Sequence, residues 1–112
     1  MAYQTVTPLQ LGQAVATTSA ATLYTVPAST RTYVKNIDIV NTSASSATVD
    51  VYLVASAGTA GVSNALFYQQ TVAPKTNIQW QGTQVLSAGA TIQIKASATT
   101  TFTITISGGE AV

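Results

Sequence analysis

Apolar and polar residues alternate with a period of two along most of this chain, and no window sustains helical spacing. The alternation is clearest between residues 32 and 54. In the run 47–54, Val49, Val51 and Leu53 fall on one face and Thr48, Asp50 and Tyr52 on the other. In the run 32–41, Tyr33, Ile37 and Ile39 share a face, and Asn36 and Asp38 share the opposite one. Successive side chains of a strand point to opposite sides, so this is the pattern of a sheet with one face buried. The polar segment 42–46 between the two runs reads as the turn of a hairpin.

The same reading gives strands at 22–26, 65–72, 76–81, 91–97 and 101–107, with a short apolar pair at Val85 and Leu86. Chain-breaking residues separate them: Pro27-Ala28-Ser29, the small-residue loop 55–64, Ala73-Pro74-Lys75, Gly82-Thr83, Ser87-Ala88-Gly89-Ala90 and Gly108-Gly109. Gly89 is expected to take a positive φ, which a residue without Cβ adopts freely. In 65–72 the inward face is ambiguous, because Leu66 and Tyr68 compete with Phe67. Thr, Val and Ile dominate the periodic segments, and branching at Cβ favours an extended backbone.

Seven or eight short strands with turns between them predict an all-β fold, an antiparallel two-sheet β-sandwich. Its expected core is Leu23, Ile37, Ile39, Val49, Val51, Leu53, Ile78, Trp80, Leu86, Ile92, Ile94, Phe102, Ile104 and Ile106. Immunoglobulin-like and jelly-roll topologies both fit the pattern, as does a small barrel. The length of 112 residues suits one domain. Residues 22–112 form the sandwich in this reading, and residues 1–21 an N-terminal arm or edge strand. Pro8 lacks the N–H that a central strand needs, and 13–21 is a tract of small residues without a large anchor. An arm of this kind either lies on its own domain or adds to a neighbouring subunit's sheet. Tyr3, Val6, Leu9 and Leu11 are its candidate subunit-interface residues.

Composition sharpens the picture. Only 6% of residues are charged, against about 25% in an average soluble protein. With 46% hydrophobic residues, the surface must be covered by hydroxyls, amides and small methyl-bearing side chains. Few charges hold such a surface away from others, so it suits packing against neighbours. A net charge of +1, with Arg31, Lys35, Lys75 and Lys95 scattered, gives no footprint for nucleic acid. No stretch approaches the roughly 18 apolar residues of a membrane helix. The first residues lack a basic segment and an apolar run, so no secretory leader is expected, and an exterior setting would be reached by a route such as lysis. There are no cysteines, which removes disulfides and thiolate chemistry.

There is no histidine either, and with it go the usual general base and the commonest metal ligand. A hairpin through 42–46 would set Asp38 opposite Asp50. Two such carboxylates can form a glycosidase pair, at about 5–5.5 or 6.5–9.5 Å. They can also contribute to a Ca²⁺ site, which takes about 6–8 oxygen ligands. The plainer expectation is two surface acids, with Lys35 and Lys95 as candidate partners. No phosphate-loop or dinucleotide pattern is present. Asn41-Thr42-Ser43 matches the N-glycosylation acceptor pattern. Among the aromatics, Tyr52 is the best candidate for an exposed ring, being in phase with Thr48 and Asp50. A subunit interface is a more natural setting for it than a sugar platform. Neither catalytic residues, a cofactor nor a metal is expected.

Leu23-Tyr24-Thr25-Val26-Pro27-Ala28-Ser29-Thr30 leads into Val34-Lys35-Asn36-Ile37-Asp38-Ile39-Val40-Asn41-Thr42, and Val85-Leu86-Ser87-Ala88-Gly89-Ala90-Thr91-Ile92 follows later. These stretches resemble a recurring small β-sandwich of tailed-bacteriophage virion proteins. In those, a "YTVPAG" turn enters a strand ending in "N-T/S", and a "vLxAGdtI" turn precedes the final pair of strands. Ser29 stands here where glycine is usual, and Ala90 where an acid is usual. The resemblance spans roughly residues 22 to 110. It implies a structural role without catalysis or cofactor: a capsid decoration (cement) protein, a head-fibre base or a tail accessory component, often trimeric. The expected setting is the virion, on the capsid surface rather than the tail. The expected partners are further copies of the chain and the major capsid protein or another virion protein. A carbohydrate- or receptor-binding module on a tail or fibre is the alternative.

Overall fold

A computed structural model of the chain describes residues 6–98 and 101–112. In chain order these form β1 (Val6–Val15), β2 (Ala21–Thr25), β3 (Arg31–Asn41), β4 (Ala47–Val54), a 3-10 turn (Val62–Asn64), β5 (Ala65–Val72), β6 (Asn77–Leu86), β7 (Thr91–Ala96) and β8 (Phe102–Ala111). One four-stranded sheet runs β1-β8-β3-β6 and the other β2-β7-β4-β5. Every strand pair is antiparallel. The fold is therefore the expected all-β, two-sheet sandwich.

The strand order decides among the topologies. Val6 pairs with Ala111, Ala21 with Ile94, Thr32 with Leu86 and Ala47 with Val72. Each of these pairs is centred, within a residue or two, on Gly58 and Thr59. The chain is thus one long hairpin whose two arms fold over together, with extra ladders β3–β8 and β4–β7 closing the sheets. Eight strands in this arrangement make a jelly roll.

One consequence is a correction. β3 and β4 lie in different sheets and do not form the expected hairpin. Segment 42–46 is a corner between sheets, and Asn41 builds it. Its side chain is fully buried. Asn41 Nδ2 donates to the carbonyls of Ser45 (2.9 Å) and Val72 (3.0 Å), and Asn41 Oδ1 accepts from Ser43 N (2.9 Å) and Ser43 Oγ (2.8 Å). The hydroxyl and amide side chains that signal a turn serve here to satisfy a bend across the sandwich. The glycosylation pattern accordingly falls on an inaccessible asparagine.

Bulges account for the other differences. The register of β3 against both β6 and β8 shifts between Val34 and Asn36, and that of β1 against β8 between Gln10 and Gly12. Lys35 is the inserted residue on β3 relative to β8. It flips the side-chain parity, so Val34 points inward with Ile37 and Ile39 while Tyr33 points outward. Gly82 and Thr83, expected to end a strand, lie opposite this bulge, and β6 continues to Leu86. Gly108 and Gly109 likewise lie within β8, which continues to Ala111.

The core takes Ile37, Ile39, Val49, Val51, Leu86, Ile92, Ile94, Phe102, Ile104 and Ile106 as expected. Leu23, Leu53, Ile78 and Trp80 pack against it only partly buried. Leu11, Ala16, Val26, Val34, Val72, Ala90 and Ala96 complete it. In β5, Leu66 and Phe67 both pack on the core while Tyr68 is exposed, because the register against β4 shifts twice along this strand.

Candidate functional site

The expected interface residues divide. Tyr3 lies outside the described residues. Val6 is 57% exposed, whereas Leu11 is 8% exposed and belongs to the core of its own chain. Leu9 packs partly against that core. β1 pairs with β8 along its whole length as an edge strand, with Pro8 where an edge tolerates a missing donor.

Tyr52 is the clearest correction: its ring is buried, 4% exposed. Its hydroxyl donates to Asp50 Oδ2 at 2.7 Å, and Asp50 Oδ1 accepts from Gln69 N at 2.7 Å. Gln69 is the bulged residue of β5, at φ 51°. The bulge frees its N–H from the ladder, and the Asp50 carboxylate takes it up. Burial first, then the hydrogen bond to Asp50 and its charge, push the Tyr52 hydroxyl from 10.0 to about 12. Asp50 is thus a buried acid and not a solvated one, and it fastens β5 to β4.

Asp38 and Asp50 do not meet. Asp38 lies on the outer face of the first sheet, between Gln79 and Thr105, and accepts from Asn77 Nδ2 at 3.1 Å. Asp50 lies on the outer face of the second sheet, opposite Lys95. Stacked sheets stand about 10 Å apart with outer faces turned away from each other, so neither the paired-acid nor the shared Ca²⁺ geometry exists. Lys35 donates instead to Thr83 Oγ1 at 2.7 Å. Among the described residues no three acidic, histidine or cysteine side chains gather around a metal position.

A second polar cluster links the sheets near one end. The Tyr24 hydroxyl from β2 donates to Glu110 Oε2 on β8 and lies 2.7 Å from Thr32 Oγ1 on β3. Burial is the main cause that raises the Tyr24 hydroxyl to about 12, with the Glu110 hydrogen bond next. Beside it, Val26 N donates to Ala90 O (2.9 Å) and Gly89 N to Val26 O (3.1 Å). The two turn motifs that carry the family resemblance therefore hold each other. Gly89 takes φ 85° as expected, and Ser29 takes φ 55°, the left-handed conformation that favours glycine.

Two recesses mark the outer faces. Gly108 and Gly109 floor an apolar one of about 310 Å³ between Val6, Pro8, Tyr33 and Lys35. A polar one of about 160 Å³ lies on the second sheet among Thr48, Asp50, Gln69, Lys95, Ala96 and Ser97. Sequence alternation placed Asp50 on this face but carried no sign of Gln69 or Ser97, which a bulge and a strand end bring in. Comparison with known protein families, curated proteins and solved structures finds no match.

Proposed function

We propose that this protein is a non-enzymatic virion component of a tailed phage, a decoration (cement) protein that binds the outside of the capsid and stabilises it. It acts as a homo-oligomer, three copies being what the resemblance favours, and bridges subunits of the major capsid protein. The observation that carries this reading is the neutral exterior. The chain has four basic and three acidic side chains, and two of those acids, Asp50 and Glu110, are spent on internal hydrogen bonds. What remains outside is mostly amide, hydroxyl and methyl, which packs against protein with little cost for stripping water from charges. Many weak copies on a lattice then bind through avidity. The test is co-sedimentation with capsids lacking the protein, followed by heating. Bound protein and a raised shell-disruption temperature are expected. Protein that stays in the supernatant removes the reading.

The polar recess beside Lys95 favours a second reading, a tail- or fibre-borne carbohydrate-binding module. A glycan array separates the two. Because Tyr52 is internal, the informative control is Lys95→Ala, which leaves the fold's own hydrogen bonds in place.

A further inference from the structure

The four sheet edges are not equally protected. β1 carries Pro8 and a register shift. β2 is five residues long and also shifted. β5 is shifted twice and kinked at Gln69. The β6 segment Asn77-Ile78-Gln79-Trp80-Gln81 has no shift, no proline and no charge. These are the devices by which natural sheets block strand addition, and this stretch of the edge lacks them, the one shift of β6 falling beyond it at Gly82 and Thr83.

The direction of its backbone groups follows from one hydrogen bond. Asn41 N donates to Thr76 O at 2.8 Å. Bonded positions in an antiparallel ladder alternate, so Ile78 and Trp80 bond β3, while Asn77, Gln79 and Gln81 turn their N–H and C=O groups outward. The same three side chains are exposed, and Ile78 and Trp80 are half-buried at the core margin.

We infer that β6 pairs antiparallel with β6 of a second copy, centred on Gln79 opposite its own equivalent. The register is self-complementary. Asn77 meets Gln81 of the other copy, amide against amide, on the outer face. Ile78 meets Trp80 on the inner face, and each covers the other's exposed flank. A two-fold contact sets residues near the axis beside their own copies, where any charge meets its like. This segment has none. Its ends fit too, because Gly82 begins the bulge at one end and the turn at Pro74-Lys75 closes the other. The result is an eight-stranded sheet, β1-β8-β3-β6 continued through its two-fold mate. The inference stands on the edge itself and not on the virion reading, and it joins copies in pairs whatever further symmetry the assembly has.

Light scattering coupled to size exclusion tests it on the full chain. The expected mass is an even number of copies, two by the pairing alone or six where trimers are joined by it. Gln79→Pro removes the central outward N–H, which an edge strand tolerates, and halves that mass; Gln79→Ala keeps the backbone and the mass. Amide exchange of the unaltered protein supplies the readout should the proline variant misfold: Asn77, Gln79 and Gln81 gain protection as concentration rises. A monomer at all concentrations, an odd number of copies, a mass indifferent to Gln79→Pro, or concentration-independent exchange at these amides overturns the pairing.

Discussion

Gly108 sits so close to Tyr33 across the β3–β8 ladder that a β-carbon on it would stand 1.9 Å from the Tyr33 carbonyl oxygen. The close approach occurs where Lys35 bulges out of β3, and it involves backbone that has nowhere to move. Glycine is used here for lack of space, in the middle of a strand.

Gly108→Ala is therefore expected to lose about 3 kcal/mol by forcing the two strands apart. Gly61, whose added β-carbon would meet nothing within 4 Å, serves as the control, with Gly61→Ala near neutral. Urea denaturation of both variants measures the difference.

Ser29 holds φ 55° in the turn after β2. A residue with a β-carbon loses about 1–2 kcal/mol in this conformation, partly offset in glycine by the entropy of its freer unfolded chain. Ser29→Gly should therefore stabilise the protein by about 0.5–1 kcal/mol, read as a higher melting temperature.

The two aspartates should respond differently. Asp50→Ala strands the Tyr52 hydroxyl and the Gln69 N–H, and is expected to cost about 3 kcal/mol. Asp38→Ala removes one exposed contact to Asn77 and should stay within about 0.5 kcal/mol. Equal effects in chemical denaturation would contradict the role assigned to Asp50.

Alkaline pH should unfold the protein through its tyrosines. Tyr24 and Tyr52 are raised from 10.0 to about 12, so the fold keeps two protons that the unfolded chain releases. The stability they contribute is complete below pH 10 and is lost as pH climbs to 12. Denaturation midpoints measured from pH 8 to 12 should fall across that window. Tyr24→Phe with Tyr52→Phe should flatten the fall.

The alternation of side chains was enough to read the regular strands, though not the full length of β6 and β8. β4 and β5 have the bounds that their patterns predict, and Ile37, Ile39, Ile104 and Ile106 face the core as their spacing requires. What alternation cannot carry is an inserted residue. Lys35 shifts the parity of β3, so Val34 is buried where Tyr33 was expected, and glycines at bulges read like glycines at turns. Pairing was likewise illegible, since segment 42–46 has the composition of a hairpin turn yet turns a corner between sheets. The outer face of β4 was found, but not the partner of Asp50: the Gln69 N–H that it accepts comes from the bulge of β5. The uncharged run of β6 was plain in the sequence, and only its place at an edge gives it meaning.

The nested ladders also set a timetable for synthesis. Of these eight strands β1 leaves the ribosome first, and its ladder partner β8 follows all the others. β4 and β5 are able to close as soon as β5 emerges behind the loop at Gly58, because their contact is the most local of the ladders. Until β8 emerges, Leu9 and Leu11 have no finished core to enter, and a product that stops short of β8 exposes both them and the flank of β3. Only chains that carry β8 lose that adhesive surface, so the topology itself separates closed sandwiches from shorter fragments before any assembly begins.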